Sequence, residues 1–216
     1  MPKTAILLGS TGLTGGILLE KLLADNLFEK VILFSRSSVG VTHPKLEEHL
    51  IDLFQLEKHS FDFKADVVFC CIGTTKSKTP NKETYRKIDY GIPVTAATLC
   101  KQNGIDRFIV ISAMGADANS SVFYNKVKGE MQRDVLQQNI QHTYILQPSL
   151  LGGKRSEKRL GERIGQLFMG VFGFLLPKNY SLIEPETIAT AMRILVEKEH
   201  SEAIITSAKI KEIANG

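Results

Sequence analysis

The sequence predicts an α/β fold: a single domain over residues 1–216, built on one doubly wound parallel sheet with helices on both faces. Strand-length apolar runs alternate with helix-length periodic segments along the chain, which is the order of a parallel sheet with crossover helices. Its main strand segments are nearly continuous in apolar residues rather than alternating, as expected for strands covered on both faces. Gly9, Arg36, Asp52, Gly73, Ser112 and Pro148 all fall at the carboxyl ends of the predicted strands, and in such sheets ligands sit beyond those ends.

The first strand is the run Ala5 to Leu8. It enters Gly9-Ser10-Thr11-Gly12-Leu13-Thr14-Gly15, and a helix follows with Leu18, Leu19, Leu22 and Leu23 on one side. Glycine serves where the chain turns sharply, where a phosphate must approach the backbone, and where helix and strand pack closely. The free amides and positive dipole end of the helix favour a pyrophosphate. Gly9 to Gly15 is therefore a candidate cofactor-binding turn of Rossmann type. Its three-residue spacing differs from Gly-x-Gly-x-x-Gly, and a glycine turn in another α/β protein is the alternative. The full strand-turn-helix context favours the nucleotide.

The second strand, Val31 to Phe34, ends in Ser35-Arg36-Ser37-Ser38. An NAD-binding fold would carry Asp or Glu about 20 residues past the last glycine, and Arg36 stands there instead. A carboxylate would repel a ribose 2′-phosphate, whereas a guanidinium can hold it in a bidentate contact. NADP(H) is thus expected over NAD(H), with Ser35 and Ser37 adding hydroxyl donors. The alternative for Arg36 is a solvated loop arginine. A short third strand, Leu46 to Ile51, leads to Asp52 and Leu53, which are expected on the adenine side of the nucleotide. Asp66 to Ile72 is a fourth, fully buried strand ending in Gly73-Thr74-Thr75. A long helix is expected from Asn81 to Asn103, kinked or broken at Pro93.

Arg107 to Ile111 is a fifth strand ending at Ser112. A helix from about Val122 to Gln138 and a sixth strand, His142 to Gln147, follow. Tyr124 and Lys128 are four residues apart in that helix, hence on one face about one turn apart. A tyrosine pKa near 10 is high for proton exchange at neutral pH, and an adjacent ammonium lowers it. Tyr124 is the expected proton-transfer group. Lys128 is its electrostatic partner and a holder of the nicotinamide ribose, and Ser112 is the hydrogen-bond partner of the substrate oxygen. A tyrosine and a lysine at this spacing are also common on solvated helix faces; the preceding cofactor fold and Ser112 favour catalysis.

Beyond Ser149 the pattern loosens. Residues 149–185 are expected to form a small C-terminal extension capping the substrate side. It holds a basic stretch from Lys154 to Arg163 and an apolar one from Leu167 to Pro177. Residues 154–177 could cap a pocket, meet a protein partner, touch a membrane surface or simply pack on the core. Pro185 opens a helix running to about Glu197, since proline suits a first helical turn. Ala203 to Thr206 is a short final strand.

Composition bounds the function classes. With 43% hydrophobic and 23% charged residues, the 216-residue chain has the make-up of a soluble globular domain. Its net charge of +4 is mild and gathers into no long run, so nucleic acid is not an expected partner. Cys70, Cys71 and Cys100 have neither metal-ligand nor disulfide spacing, and are expected to be reduced packing residues of a cytoplasmic protein. No metal site is expected. The first strand begins at once, so no signal peptide is expected. No stretch reaches the roughly 20 apolar residues of a membrane span.

In these motifs the chain resembles the short-chain dehydrogenase/reductase superfamily, in its atypical branch with NmrA-like proteins, and more closely the Tat-interacting-protein-like oxidoreductases. The matching stretches are residues 9–15, Phe69 to Thr75, Ile111 to Asp117, Tyr124 to Lys128 with Gly129-Glu130, and Gln147 to Leu151. The likeness spans about residues 4–195. It implies a Rossmann fold, NADPH held by the Gly9–Gly15 turn and Arg36, and a Ser112–Tyr124–Lys128 triad. It also implies contacts to the nicotinamide half from Cys71, Ile72, Gly73 and Thr74, and from Pro148, Leu150 and Leu151. Gln147-Pro148-Ser149 stands where Arg-Pro-Gly is common. The expected activity is NADP(H)-dependent exchange of carbonyl and alcohol on a small, largely apolar substrate. The rival is an NADP(H)-binding sensor or scaffold that regulates a partner without turnover, because in this group such a role can persist beside an intact triad. A lipid-surface or partner-binding module resting on residues 154–177 ranks last.

Overall fold

The computed structural model describes residues 1–149 and 182–216. Most of the predicted 149–185 extension, including Leu150, Leu151 and residues 154–177, lies outside them. In chain order the described elements are β1 (Lys3–Leu8), α1 (Leu13–Ala24), β2 (Phe28–Ser35), β3 (Leu46–Leu50), a 3₁₀ helix (Leu53–His59) and β4 (Val67–Cys70). Then come α2 (Lys82–Arg86), a π-helical turn (Lys87–Gly91), α3 (Ile92–Gln102), β5 (Arg107–Ile111), α4 (Phe123–Leu136) and β6 (His142–Gln147). After the extension follow α5 (Pro185–Ile194), β7 (Ile204–Thr206) and α6 (Ser207–Asn215).

The strands form one parallel sheet in the order β3-β2-β1-β4-β5-β6-β7. Because side chains alternate across a strand, the apolar runs divide between two cores. Ala5, Leu7, Val31, Leu33, Val67, Phe69, Ile109 and Leu146 face the layer of α1, α5 and α6. Ile6, Leu8, Ile32, Phe34, Val68, Cys70, Phe108, Val110 and Ile145 face the 3₁₀ helix, α3 and α4. That double burial is why these strands read as unbroken apolar runs.

The chain leaves β1 for β2 on one side and later returns to β4 on the other, so β1 and β4 are neighbours at the point where strand order reverses. Connections diverge there and leave a crevice at the carboxyl ends. Leu8, Ser35, Cys70 and Ile111 all end on this edge.

Two predicted elements change. The helix expected from Asn81 to Asn103 is two α-helices joined by the π turn. Pro93 sits in the first turn of α3, and having no N–H it cannot bond the carbonyl of Asp89 four residues earlier. The Ile92 N–H correspondingly reaches five residues back to the carbonyl of Lys87. The second change is α6, for which the sequence reading left only the end of a strand. The Thr206 side chain accepts from Lys209 N at 3.4 Å and caps it, and Ile210 is buried in the α1 layer.

Candidate functional site

The glycine turn forms from backbone geometry. Gly9 has φ of +87°, and a Cβ on Gly15 would lie 2.1 Å from the Gly9 carbonyl oxygen, so neither place admits a side chain without rearrangement. Helix α1 starts with Gly12 as its N-cap, without a capping side chain and without an acidic residue in the first turn. Its first amides therefore point out of the helix without intrahelical acceptors. Ser10 is buried, and its Oγ has no hydrogen-bond partner among the described residues. A cradle that excludes Cβ atoms, bare helix amides and an orphaned hydroxyl together fit a phosphate group. Thr11 and Leu13 are exposed at the tip, while Thr14 is buried.

At the end of β2, Ser35 is buried and its hydroxyl donates to the carbonyl of Ser37 at 2.8 Å. The expected donor role toward a nucleotide is thereby altered: the Ser35 proton holds the turn. Arg36 and Ser37 are exposed on that turn. Asp52 also takes a structural duty, because its carboxylate accepts from Phe54 N at 3.0 Å and Gln55 Nε2 at 3.2 Å, capping the 3₁₀ helix. Leu53 lies buried beneath it. Cys71 continues β4 by donating its N–H to Leu8 O at 2.9 Å, and its Sγ lies 3.9 Å from Met192 Sδ. Cys70, Cys71 and Cys100 are free thiols, and burial pushes Cys70 up to about 11.

The three candidate catalytic residues meet around helix α4. Lys128 lies in an ion pair with Asp89, Nζ to Oδ1 3.0 Å, and their side chains are only 5% and 1% exposed. Asp89 Oδ2 accepts from the Thr74 N–H at 2.8 Å. A Cβ on Gly73 would stand 3.6 Å from Asp89 Oδ1 and 3.8 Å from Lys128 Nζ, so the turn after β4 rests directly against the pair. Burial opposes charge on Lys128, but Asp89 and then Tyr124 outweigh it and hold the ammonium above its ordinary range.

Tyr124 packs its ring edge-on against Tyr85, centroids 6.4 Å apart, and Tyr85 donates its hydroxyl to Thr74 O at 3.3 Å. Burial pushes the Tyr124 phenol up, Lys128 pulls it down, and Asp89 pushes it up again; the result is upward. Lys128 acts in the direction the sequence predicts, but burial above all, and then the Asp89 carboxylate, outweigh it, so the expected net lowering does not occur.

Ser112 is buried at the end of β5, where its N–H donates to Leu146 O at 2.7 Å. Its Oγ accepts from Gln132 Nε2 at 2.6 Å, and Gln147 Nε2 donates to Gln132 Oε1 at 3.1 Å. Among the described residues no hydrogen bond joins Ser112 to Tyr124. The link runs instead along α4, where Tyr124, Lys128 and Gln132 succeed one another at four-residue steps on one face. Pro148 accepts from Met114 N at 3.1 Å, which ties the segment after β6 to the β5 end.

Sequence reasoning missed Asp89, Gln132 and the bracing by Tyr85. Gln132 had a readable signal, being the next step of the Tyr124–Lys128 stripe. Asp89 had only its place four residues before Pro93. Among the described residues no group of His, Cys, Asp and Glu could hold a metal, and no helix is long and apolar enough to cross a membrane.

Residues 9–166 match a family described as NAD(P)H-binding. The chain is 30% identical over 198 residues to Protein HTATIP2 of Rattus norvegicus, covering 90% of this chain and 80% of that protein. It is 34% identical over 177 residues to Protein FMP52-1, mitochondrial, of Scheffersomyces stipitis, covering 80% of this chain and 76% of that one. Among solved structures, the UDP-glucose 4-epimerase of Thermotoga maritima with UDP-glucose superposes with a TM-score of 0.71 at 14% identity, over 94% of this chain and 76% of the enzyme. MoeE5 in complex with UDP-glucose and NAD gives 0.70 at 16% identity, over 94% and 75%. At such identities these two establish the fold alone.

Proposed function

The chain belongs to the NAD(P)H-binding family, as an atypical protein of short-chain dehydrogenase/reductase type, and from that footing we propose that it is an NADP(H)-dependent oxidoreductase exchanging a carbonyl and an alcohol on a small substrate. The observation that carries this reading is the buried Lys128 beside Tyr124 on α4, against the Gly73 turn at the carboxyl end of β4. In this reading Gly9 to Gly15 and the α1 amides hold the pyrophosphate, and Ser10 gives its orphaned hydroxyl to a phosphate oxygen. Arg36, whose guanidinium has no hydrogen bond or ion pair in the described residues, meets the 2′-phosphate and selects NADP(H) over NAD(H).

The bound nicotinamide supplies or accepts the hydride. Ser112 orients the substrate oxygen, and Tyr124 exchanges a proton with it. A phenol held protonated by burial suits the reductive direction, where the carbonyl oxygen gains a proton as its carbon gains the hydride. Lys128 supplies positive charge to the same pocket.

The test is NADPH consumption over a panel of aldehydes and ketones, alongside titration with NADPH and NADH. Substrate-dependent oxidation with preference for NADPH is expected, and failure to bind either nucleotide would refute the reading. The pairing of Lys128 with Asp89 favours a second reading, a nucleotide-binding sensor or scaffold, because an ammonium whose charge is offset by a carboxylate gives less support to a phenolate. Tight NADPH binding without turnover on any carbonyl, together with a partner whose affinity changes with the nucleotide, would favour it.

A further inference from the structure

We propose that Asp89 is a positioning residue of this site: its buried carboxylate fixes the Lys128 ammonium beside Tyr124 and offsets that charge, so that Tyr124 acts as a proton donor to a carbonyl rather than as a phenolate base. The inference rests on the oxidoreductase reading for its chemistry, but its geometry stands apart from any ligand. Asp89 is 1% exposed, 3.0 Å from Lys128 and 2.8 Å from the Thr74 amide, and it lies in the π turn that leads into Pro93. π turns inside helices frequently mark functional positions. A carboxylate this far from water needs a partner: Oδ2 accepts from the Thr74 N–H, and Oδ1, which has no hydrogen bond among the described residues, has the Lys128 ammonium 3.0 Å away in an ion pair.

The other groups around Tyr124 do not supply this charge. On α2, Tyr85 is neutral, its phenol pushed far up by burial. At the end of β4, Cys70 is neutral, pushed up to about 11. On α4 Lys128 is the cation, and at the end of β5 Ser112 is uncharged. Asp89 is thus the anion that faces both Lys128 and Tyr124 among the groups packed there. In the step it biases, the carbonyl carbon gains a hydride from a reduced nicotinamide and the C=O π pair moves to oxygen. The Tyr124 O–H bond then breaks, its proton goes to that oxygen, and solvent reprotonates the phenolate. A reduced nicotinamide bound there would supply the two electrons with the hydride, and the carbonyl would be reduced to an alcohol.

The experiment is an alkaline titration of the nucleotide-free protein followed by tyrosinate absorbance. The chain has five tyrosines, so the signal of Tyr124 is isolated by subtracting the matching Tyr124→Phe variant. Asp89→Asn keeps the shape and removes the charge. It is expected to lower the Tyr124 midpoint by about one pH unit or more, and to move the alkaline fall of carbonyl reduction to lower pH by the same interval. An unchanged or raised midpoint overturns the proposal. Should Asp89→Asn fail to fold, Asp89→Asn/Lys128→Met, which leaves no lone buried charge, is compared with Lys128→Met alone. The double variant must then show the lower Tyr124 midpoint, and equal midpoints overturn the proposal. Absence of turnover on every carbonyl would sink the oxidoreductase reading while leaving this measurement intact, since it needs neither nucleotide nor substrate.

Discussion

At the scale of the residue, the polar groups around the predicted nucleotide site divide into those whose hydrogen bonds the scaffold uses and those it leaves unpaired. Ser35 and Asp52 spend their hydrogen bonds on a turn and a helix cap, whereas Ser10 Oγ has no partner among the described residues and Arg36 stands exposed. Arg36→Ala should therefore cost little stability but weaken NADPH by about 1.5–3 kcal/mol, the worth of a hydrogen bond to a charged group. NADH should be nearly unaffected, and parallel calorimetric titrations with both nucleotides check this; equal losses would remove Arg36 from the 2′-phosphate. Tyr124→Phe keeps the ring against Tyr85 and deletes only the hydroxyl. It should bind NADPH like the parent and lose roughly 10²–10⁴-fold in kcat, measured once a substrate is found. The Tyr124–Lys128 pairing was readable from spacing alone. Asp89 was not, because a helical reading of Asn81 to Asn103 gives no reason for one acidic residue to turn inward.

At the scale of the element, periodicity placed β1, β2, β4, β5, β6 and α4 to within a few residues. The misses have local causes. The predicted helix is interrupted near Pro93, but the interruption is a π turn that holds Asp89 at the site, next to a proline that has no amide to give the helix. Helix α6 went unseen because it is short and its apolar positions are few. Its stability comes from packing on α5 and the sheet rather than from helix propensity, as is usual for short helices. Ile210 is fully buried there. Ile210→Ala should lower unfolding stability by about 2–5 kcal/mol, read by chemical denaturation, and a loss well under 1 kcal/mol would mean that α6 is not docked.

At the scale of the whole molecule, long-range charge pairs join layers that sequence cannot connect. Arg193 of α5 reaches Asp25 at the end of α1, Nε to Oδ2 2.5 Å, across 168 residues. The Arg193 hydrogen bond holds the Asp25 carboxyl below its ordinary value of 3.8 despite partial burial. A depressed folded pKa means that the unfolded chain takes up the proton first as pH falls. This contribution is complete above the ordinary value and is lost as pH drops through the folded one. Stability should thus fall below about pH 4, and Asp25→Asn should flatten that part of the profile while costing about 1 kcal/mol at neutral pH. Denaturation midpoints from pH 2 to 7 test it, and an unchanged acid limb in Asp25→Asn would show that the pair is inert. The sequence by itself determined the strand order class, the glycine cradle and the Tyr124–Lys128 face, because each depends on local periodicity and backbone stereochemistry. Only the tertiary structure decided that the Lys128 ammonium is paired with Asp89, that Ser112 is held by Gln132 and Gln147, and that burial pushes the Tyr124 phenol upward. Those outcomes depend on which distant groups share one buried volume, and charge in a low-dielectric interior responds to its neighbours in space rather than in sequence.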